Sequence, residues 1–349
     1  MARMSPTIGA INVYPIKSCR GVSVQSAMLT EAGFMLDREW MVVREDNGRF
    51  ISQREKELLA LVDVALPPEL LAPAAYGAIS VLGPGADMTV VAPGMEPLQI
   101  PLARKPDFDA RKVTVWEWTG VGMDEGADAA SWFSRYLGIP CRLVRYLGSN
   151  RANAEAAAAA AGLPQQQQQA GAVRGSGGDG SLEGTRMTDP EFAVNYETRF
   201  TDGYPVLLAN QAALADLNSK LVEPLPMNRF RPNIEVAGAD PWAEDGWRVV
   251  AVTCSVDGRT VPLTLVKPCS RCKVTTINQA TAKLGDEPLE TLGTIRSGKV
   301  LGWNQTRKSW THAVFFGWNV VTRTAGVVSV GDRLTITSPQ VHDALLPAQ

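Results

Sequence analysis

Two thiols and a guanidinium fall within four positions at Cys269-Ser270-Arg271-Cys272. Thiolates are soft metal ligands and nucleophiles, and arginine grips phosphate or carboxylate through paired hydrogen bonds. Such a cluster suits a site where an anionic cofactor or substrate meets a metal or a reactive sulfur. By spacing alone four readings stay open: half of a zinc site, a dithiol redox pair, two buried structural thiols, or one thiolate bound to a metal whose other ligands come from a cofactor. The sequence holds no second CxxC to complete a Cys₄ zinc site. A thioredoxin-like pair needs a helix after the motif, whereas Val274-Thr275-Thr276-Ile277 reads as strand. The fourth reading requires separate anchors for the cofactor.

Candidate anchors occur far apart. Lys17-Ser18-Cys19-Arg20-Gly21 is a tight basic loop at a strand end, able to cradle a phosphate. Arg38 follows Asp37 at the mouth of another predicted strand. In Arg229-Phe230-Arg231-Pro232-Asn233 the proline keeps the preceding backbone extended, which would aim positions 229, 231 and 233 the same way, towards a polyanion.

Composition narrows the class. The chain has 349 residues, 45% of them hydrophobic, and a net charge of −2. That is enough for two domains, and the basic residues form no block of the kind nucleic acid attracts. The five cysteines are odd in number and scattered, unlike a secreted disulfide scaffold. No signal-peptide core and no run of about 18 apolar residues is present, so a cytoplasmic protein without a membrane anchor is expected. Only His312 and His342 occur, which disfavours histidine-rich zinc sites and bis-histidine haem.

The elements that must position these residues read as β-rich. Strands are predicted over Ile8–Ile16, Asp37–Arg44 and Val113–Trp118, with a hairpin at Asn47-Gly48. A helix is predicted from Ala127 to Leu137, closed by Gly138. Another starts at the N-cap Asn210 and runs to Leu221. Strands Trp247–Thr253 and Thr260–Val266 lead to the cysteine motif, and Val330-Gly331-Asp332 turns between two more. The polyalanine, polyglutamine and glycine-rich stretch is expected to be a disordered insertion. The resulting organisation is an N-terminal region at 5–147, the insertion at 148–185 and a C-terminal domain at 186–340.

Tyr14-Pro15-Ile16-Lys17-Ser18-Cys19-Arg20-Gly21 and Asp37-Arg38 resemble the N-terminal β-barrel region of MOSC proteins. Asn228 to Asn233, Cys269-Ser270-Arg271-Cys272 and Val330-Gly331-Asp332 resemble the MOSC domain itself. In order and spacing they are most similar to the amidoxime reducing components. The resemblance implies a β-rich α+β fold, with an N-terminal MOSC β-barrel-type region packed on a MOSC β-barrel domain. It implies molybdenum cofactor (Mo-molybdopterin), with Cys272 as metal ligand. Lys17, Ser18, Arg38, Gly203, Arg231, Asn233, Ser270 and Arg271 would contact the cofactor, and Cys269 would be structural. Asp202 would act near the metal as proton donor. The implied reaction is reduction of N-hydroxylated compounds, and of nitrite to nitric oxide in some relatives. Cytochrome b5 and NADH-cytochrome b5 reductase would supply electrons. A non-catalytic carrier of the same cofactor is the alternative.

Overall fold

The computed structural model describes residues 5–71, 85–103, 108–148 and 185–339. The insertion, with its expected disorder, falls almost wholly outside them.

A closed barrel of seven strands organises the molecule. Its circuit runs Ile234–Ala237, Val206–Asn210, Phe315–Val321, Thr260–Ser270, Trp247–Thr253, Arg333–Pro339 and Thr7–Val13, and Thr7–Val13 pairs back onto Ile234–Ala237. Closure leaves these strands no free edge. Inward positions alternate as a two-residue period demands: Val261, Leu263 and Leu265 are buried on one strand, Val250 and Val252 on its neighbour. Val206–Asn210 and Ile234–Ala237 are parallel, so the chain crosses over between them through the helix Gln211–Asn218. Asn210 caps that helix, its side chain accepting from the Ala212 N–H.

The other region is built on the antiparallel sheet Trp40–Arg44, Cys141–Tyr146, Trp118–Asp124, Ala110–Val115. The helix Ala127–Leu137 buries Ala129, Trp132, Phe133 and Leu137, and ends at Gly138 in a left-handed cap. A small sheet over Asp63–Ala65, Asp87–Val91 and Leu98–Pro101 completes this half. The fold is thus β-rich α+β, an N-terminal barrel-type region packed on a barrel domain. Its first strand nevertheless belongs to the C-terminal barrel. Chain entry therefore carries residues 14–38 across the boundary between the two halves.

Three local expectations change. Val113–Trp118 is not one strand: Trp116 takes φ 52° and the chain reverses, pairing Val115 with Trp118. Lys273–Thr276 forms a 3₁₀ turn rather than the predicted strand, because the Thr275 and Thr276 hydroxyls fold back onto the Cys272 and Lys273 carbonyls. Met227–Arg229 is also a 3₁₀ turn, so positions 229, 231 and 233 do not share a face. Among the described residues no helix is long and apolar enough to cross a membrane.

Candidate functional site

The strand Thr260–Ser270 ends at the barrel mouth and delivers Cys269, Ser270, Arg271 and Cys272 to a cleft of about 330 Å³. Lys17, Ser18, Arg38, Asp202, Gly203, Arg231 and Asn233 line the same cleft. The residues that the resemblance assigns to the site are therefore brought together, from segments more than 250 positions apart. Arg229 is not: it is buried, and its guanidinium donates to the Thr275 and Glu287 carbonyls. Asp332 of the Val330-Gly331-Asp332 motif is buried elsewhere, accepting from the Ser255 and Ser329 N–H groups. That motif is a turn, not part of the site.

Backbone conformation aims the anchors. Eight described non-glycine residues have left-handed φ, and four of them, Ser18, Arg38, Trp116 and Arg231, line the cleft. Such conformations cost about 1–3 kcal/mol each and collect where function holds them. Arg38 and Arg231 both lie over the ring of Tyr14, at 4.2 and 4.4 Å. Asp37 pairs with Arg38 at 2.6 Å and accepts from the Tyr14 N–H and the Asn233 amide. The two Asn233 donors go to Asp37 and the Asn12 carbonyl, and its oxygen accepts from the Leu207 N–H. Asn233 thus ties the anchoring loop to the barrel, with no amide proton left for a ligand.

Charge in the cleft is one-sided. Lys17, Arg38, Arg54, Arg231, Lys267 and Arg271 face it, against the single carboxylate of Asp202. Burial lowers the Arg231 guanidinium to about 10, with Tyr14 opposing that shift. Among the described residues its side chain has no hydrogen-bonded or ion-paired partner. Arg271 donates to Cys269 Sγ at 2.8 Å and to the Phe230 carbonyl at 2.7 Å, while its buried Nε has no partner in the fold. Cationic donors left without acceptors suit an anionic ligand.

Lys17 and Asp202 form the cleft's ion pair at 2.6 Å. The Lys17 side chain is 6% accessible, whereas Asp202 is 70% accessible and opens onto the cleft. Burial lowers the Lys17 amine to about 8, against the raising effect of Asp202. Partial desolvation pushes the Asp202 carboxyl up, but Lys17, Arg54 and Arg186 outweigh it and hold the carboxyl well below the usual range. Asp202, the proton donor that the resemblance implies, thus stands hydrogen-bonded to Lys17, which favours its ionised form. Arg186 fixes this loop from beneath, donating to the Arg199, Thr201 and Asp202 carbonyls at 2.8 Å each. A Cβ on Gly203 would meet nothing within 4 Å, so its glycine is not sterically required.

Sequence reasoning missed Arg54, Trp116, Lys267 and Asn319 in the lining. Arg54 donates to Cys272 Sγ at 3.1 Å. Lys267 lies 4.4 Å from the Phe192 ring centroid and 3.5 Å from Asp189. Lys267 stands immediately before the Pro268-Cys269 start of the motif, so its adjacency could have flagged it. Arg54 carries no local signal, since only the fold brings it to the thiol.

Among the described residues no group of three or more His, Cys, Asp or Glu side chains could hold a metal alone. Cys272 could supply one soft ligand, and the rest would have to arrive with a ligand that the cationic walls accept.

The barrel thus carries at its mouth a cleft lined by cationic side chains and a thiol. The chain belongs to the MOSC-domain family: residues 5–140 match the MOSC N-terminal beta barrel domain and residues 195–335 the MOSC domain. It is similar to mitochondrial amidoxime reducing component 2 of Rattus norvegicus, 29% identical over 336 residues, covering 93% of this chain and 82% of that protein. The Bos taurus component 2 is 28% identical over 296 residues, covering 83% and 72%. The Homo sapiens component 1 is 27% identical over 332 residues, covering 93% and 81%.

Proposed function

We propose that the protein is a molybdenum-cofactor-dependent reductase of N-hydroxylated compounds such as amidoximes and hydroxylamines. Likeness to the amidoxime reducing components supports this reading. The observation that carries it is the six-to-one excess of cations over carboxylates around an accessible Cys272. Arg231, with no acceptor among the described residues, and the unpartnered Arg271 Nε fit a phosphate-bearing cofactor. Arg38, Lys17 and the Ser18 and Ser270 hydroxyls complete the cradle, and Cys272 supplies the metal's protein ligand. Each charge-assisted hydrogen bond contributes about 1.5–3 kcal/mol, so a few suffice for retention.

When bound, the cofactor supplies the two-electron chemistry that breaks the N–O bond. The departing oxygen needs protons, and the Lys17–Asp202 pair is placed to relay them: Lys17 Nζ donates, and Asp202 keeps it oriented. Nitrite reduction to nitric oxide would likewise remove an oxygen from nitrogen, there with one electron and two protons. Electrons would come from cytochrome b5 and its NADH-dependent reductase, in the cytoplasm.

Metal and pterin analysis of protein from a host that makes the cofactor tests the reading. About one molybdenum per chain, with benzamidoxime reduction in a reconstituted system, is expected. Cys272→Ala should lose both metal and activity, whereas Cys269→Ala keeps them. Zinc without molybdenum would overturn the reading. Loaded but inactive protein would favour the carrier alternative.

A further inference from the structure

The cleft is completed by the N-terminal sheet. Arg54 follows the hairpin in sequence, and its Nη2 donates to Cys272 Sγ at 3.1 Å. The guanidinium lies 4.6 Å from the Trp116 ring centroid. Trp116 is itself fixed in the left-handed turn and packs on Phe50 at 4.9 Å. Beside Arg54, the buried Gln53 exchanges two 3.0 Å amide hydrogen bonds with Gln279 of the other half, and donates to the Ser18 carbonyl. The segment is thus clamped to both the barrel and the anchoring loop. Among the described residues Arg54 meets no carboxylate within ion-pair reach, so no salt bridge accounts for its placement. Arg271, the neighbour in sequence, serves Cys269 instead.

We propose that Arg54 is a positioning residue for the Cys272 sulfur. By donating to that sulfur it sets the ligand's orientation and the electron density the thiolate gives to a bound metal. Trp116 holds the guanidinium at that post. Hydrogen bonds to ligating sulfurs tune reduction potentials and orient ligands in metal sites generally. Withdrawing density from the sulfur favours the reduced metal, so Arg54 raises the potential. This rests on the proposed function, in which Cys272 ligates molybdenum.

The test uses full-length protein purified with cofactor. Molybdenum content of the wild type is measured first; if it is absent, the functional reading fails before Arg54 is examined. With metal present, Arg54→Gln should retain wild-type molybdenum content. It should shift the Mo(V) electron paramagnetic resonance signal and lower the reduction potential. Arg54→Lys should restore part of the shift, and Trp116→Phe should move the signal less than Arg54→Gln does. An unchanged spectrum and potential in loaded Arg54→Gln would overturn the proposal. So would loss of molybdenum as complete as in Cys272→Ala, which would make Arg54 an anchor of the cofactor.

Discussion

Arg145 is buried and Arg231 half-buried, and each lies over an aromatic ring, Trp40 at 4.6 Å and Tyr14 at 4.4 Å. Their partners differ completely. Arg145, in the N-terminal sheet, donates to Glu125 at 2.6 Å, to the Leu102 carbonyl at 2.9 Å and to the Pro101 carbonyl. Trp40 Nε1 donates to the same Glu125 oxygen. Among the described residues Arg231, at the barrel mouth, has the Tyr14 face and no hydrogen-bonded partner for its side chain, and it shares that face with a second guanidinium. One cation is answered within the fold, while the other is left, on the proposed function, for the anion of a bound cofactor. The same residue type therefore stabilises the fold in one place and stores binding capacity in the other.

This contrast is broken most directly at Glu125. Glu125→Ala leaves Arg145 charged and buried without its carboxylate, and breaking a buried pair costs about 3–5 kcal/mol. Thermal unfolding should show a large drop in stability in cofactor-free and loaded protein alike. If the variant melted with the wild type, the pair would not hold the sheet.

At Arg231 the expected pattern is reversed. Arg231→Ala removes one of two cations sharing a ring, so cofactor-free stability should hold or rise. Retention of the cofactor should weaken by about 1.5–3 kcal/mol, or roughly ten- to 150-fold in affinity. Pterin content after dialysis reads this. A variant that melts early yet keeps its pterin would place Arg231 with Arg145, as a structural cation.

The contrast also shows what was legible in the sequence. Apolar alternation and turn residues marked most strands, and Trp132, Phe133, Leu137 and Gly138 marked the helix with its end. The anchors were legible because Lys17, Ser18, Arg38 and Arg231 stand in recognisable short motifs. What stayed hidden depends on tertiary contact. Barrel closure by Thr7–Val13 requires pairing with strands at 234 and 333. The Trp116 turn uses no glycine, so nothing announced it, although aromatic alternation announced a strand. Arg54 reads as one charge in Arg54-Glu55-Lys56-Glu57 until the fold sets it against Cys272. Asn233 showed the converse: its motif was visible, but its hydrogen bonds lie within the fold.

Lys17 offers a finer probe, because pH can remove its charge. Burial lowers its folded-state value from 10.5 to about 8. Below about pH 8 the amine is charged in both folded and unfolded chains, and the cost of burying that charge is fully present. Between about 8 and 10.5 the unfolded chain holds a proton the folded chain has released, so this group's contribution to stability rises with pH. In cofactor-free protein the advantage of Lys17→Met over wild type should therefore shrink by about 1 kcal/mol between pH 8 and 9. Asp202 does not titrate in this window, since its carboxyl is held below the usual range. An anion in the cleft favours the charged amine and moves the window upward, so loaded protein should show a flatter difference over the same pH interval. Urea unfolding of both proteins at the two pH values measures this. A difference independent of pH would mean that the amine is already answered within the fold, as Arg145 is, and that the cleft is not waiting for an anion at that position.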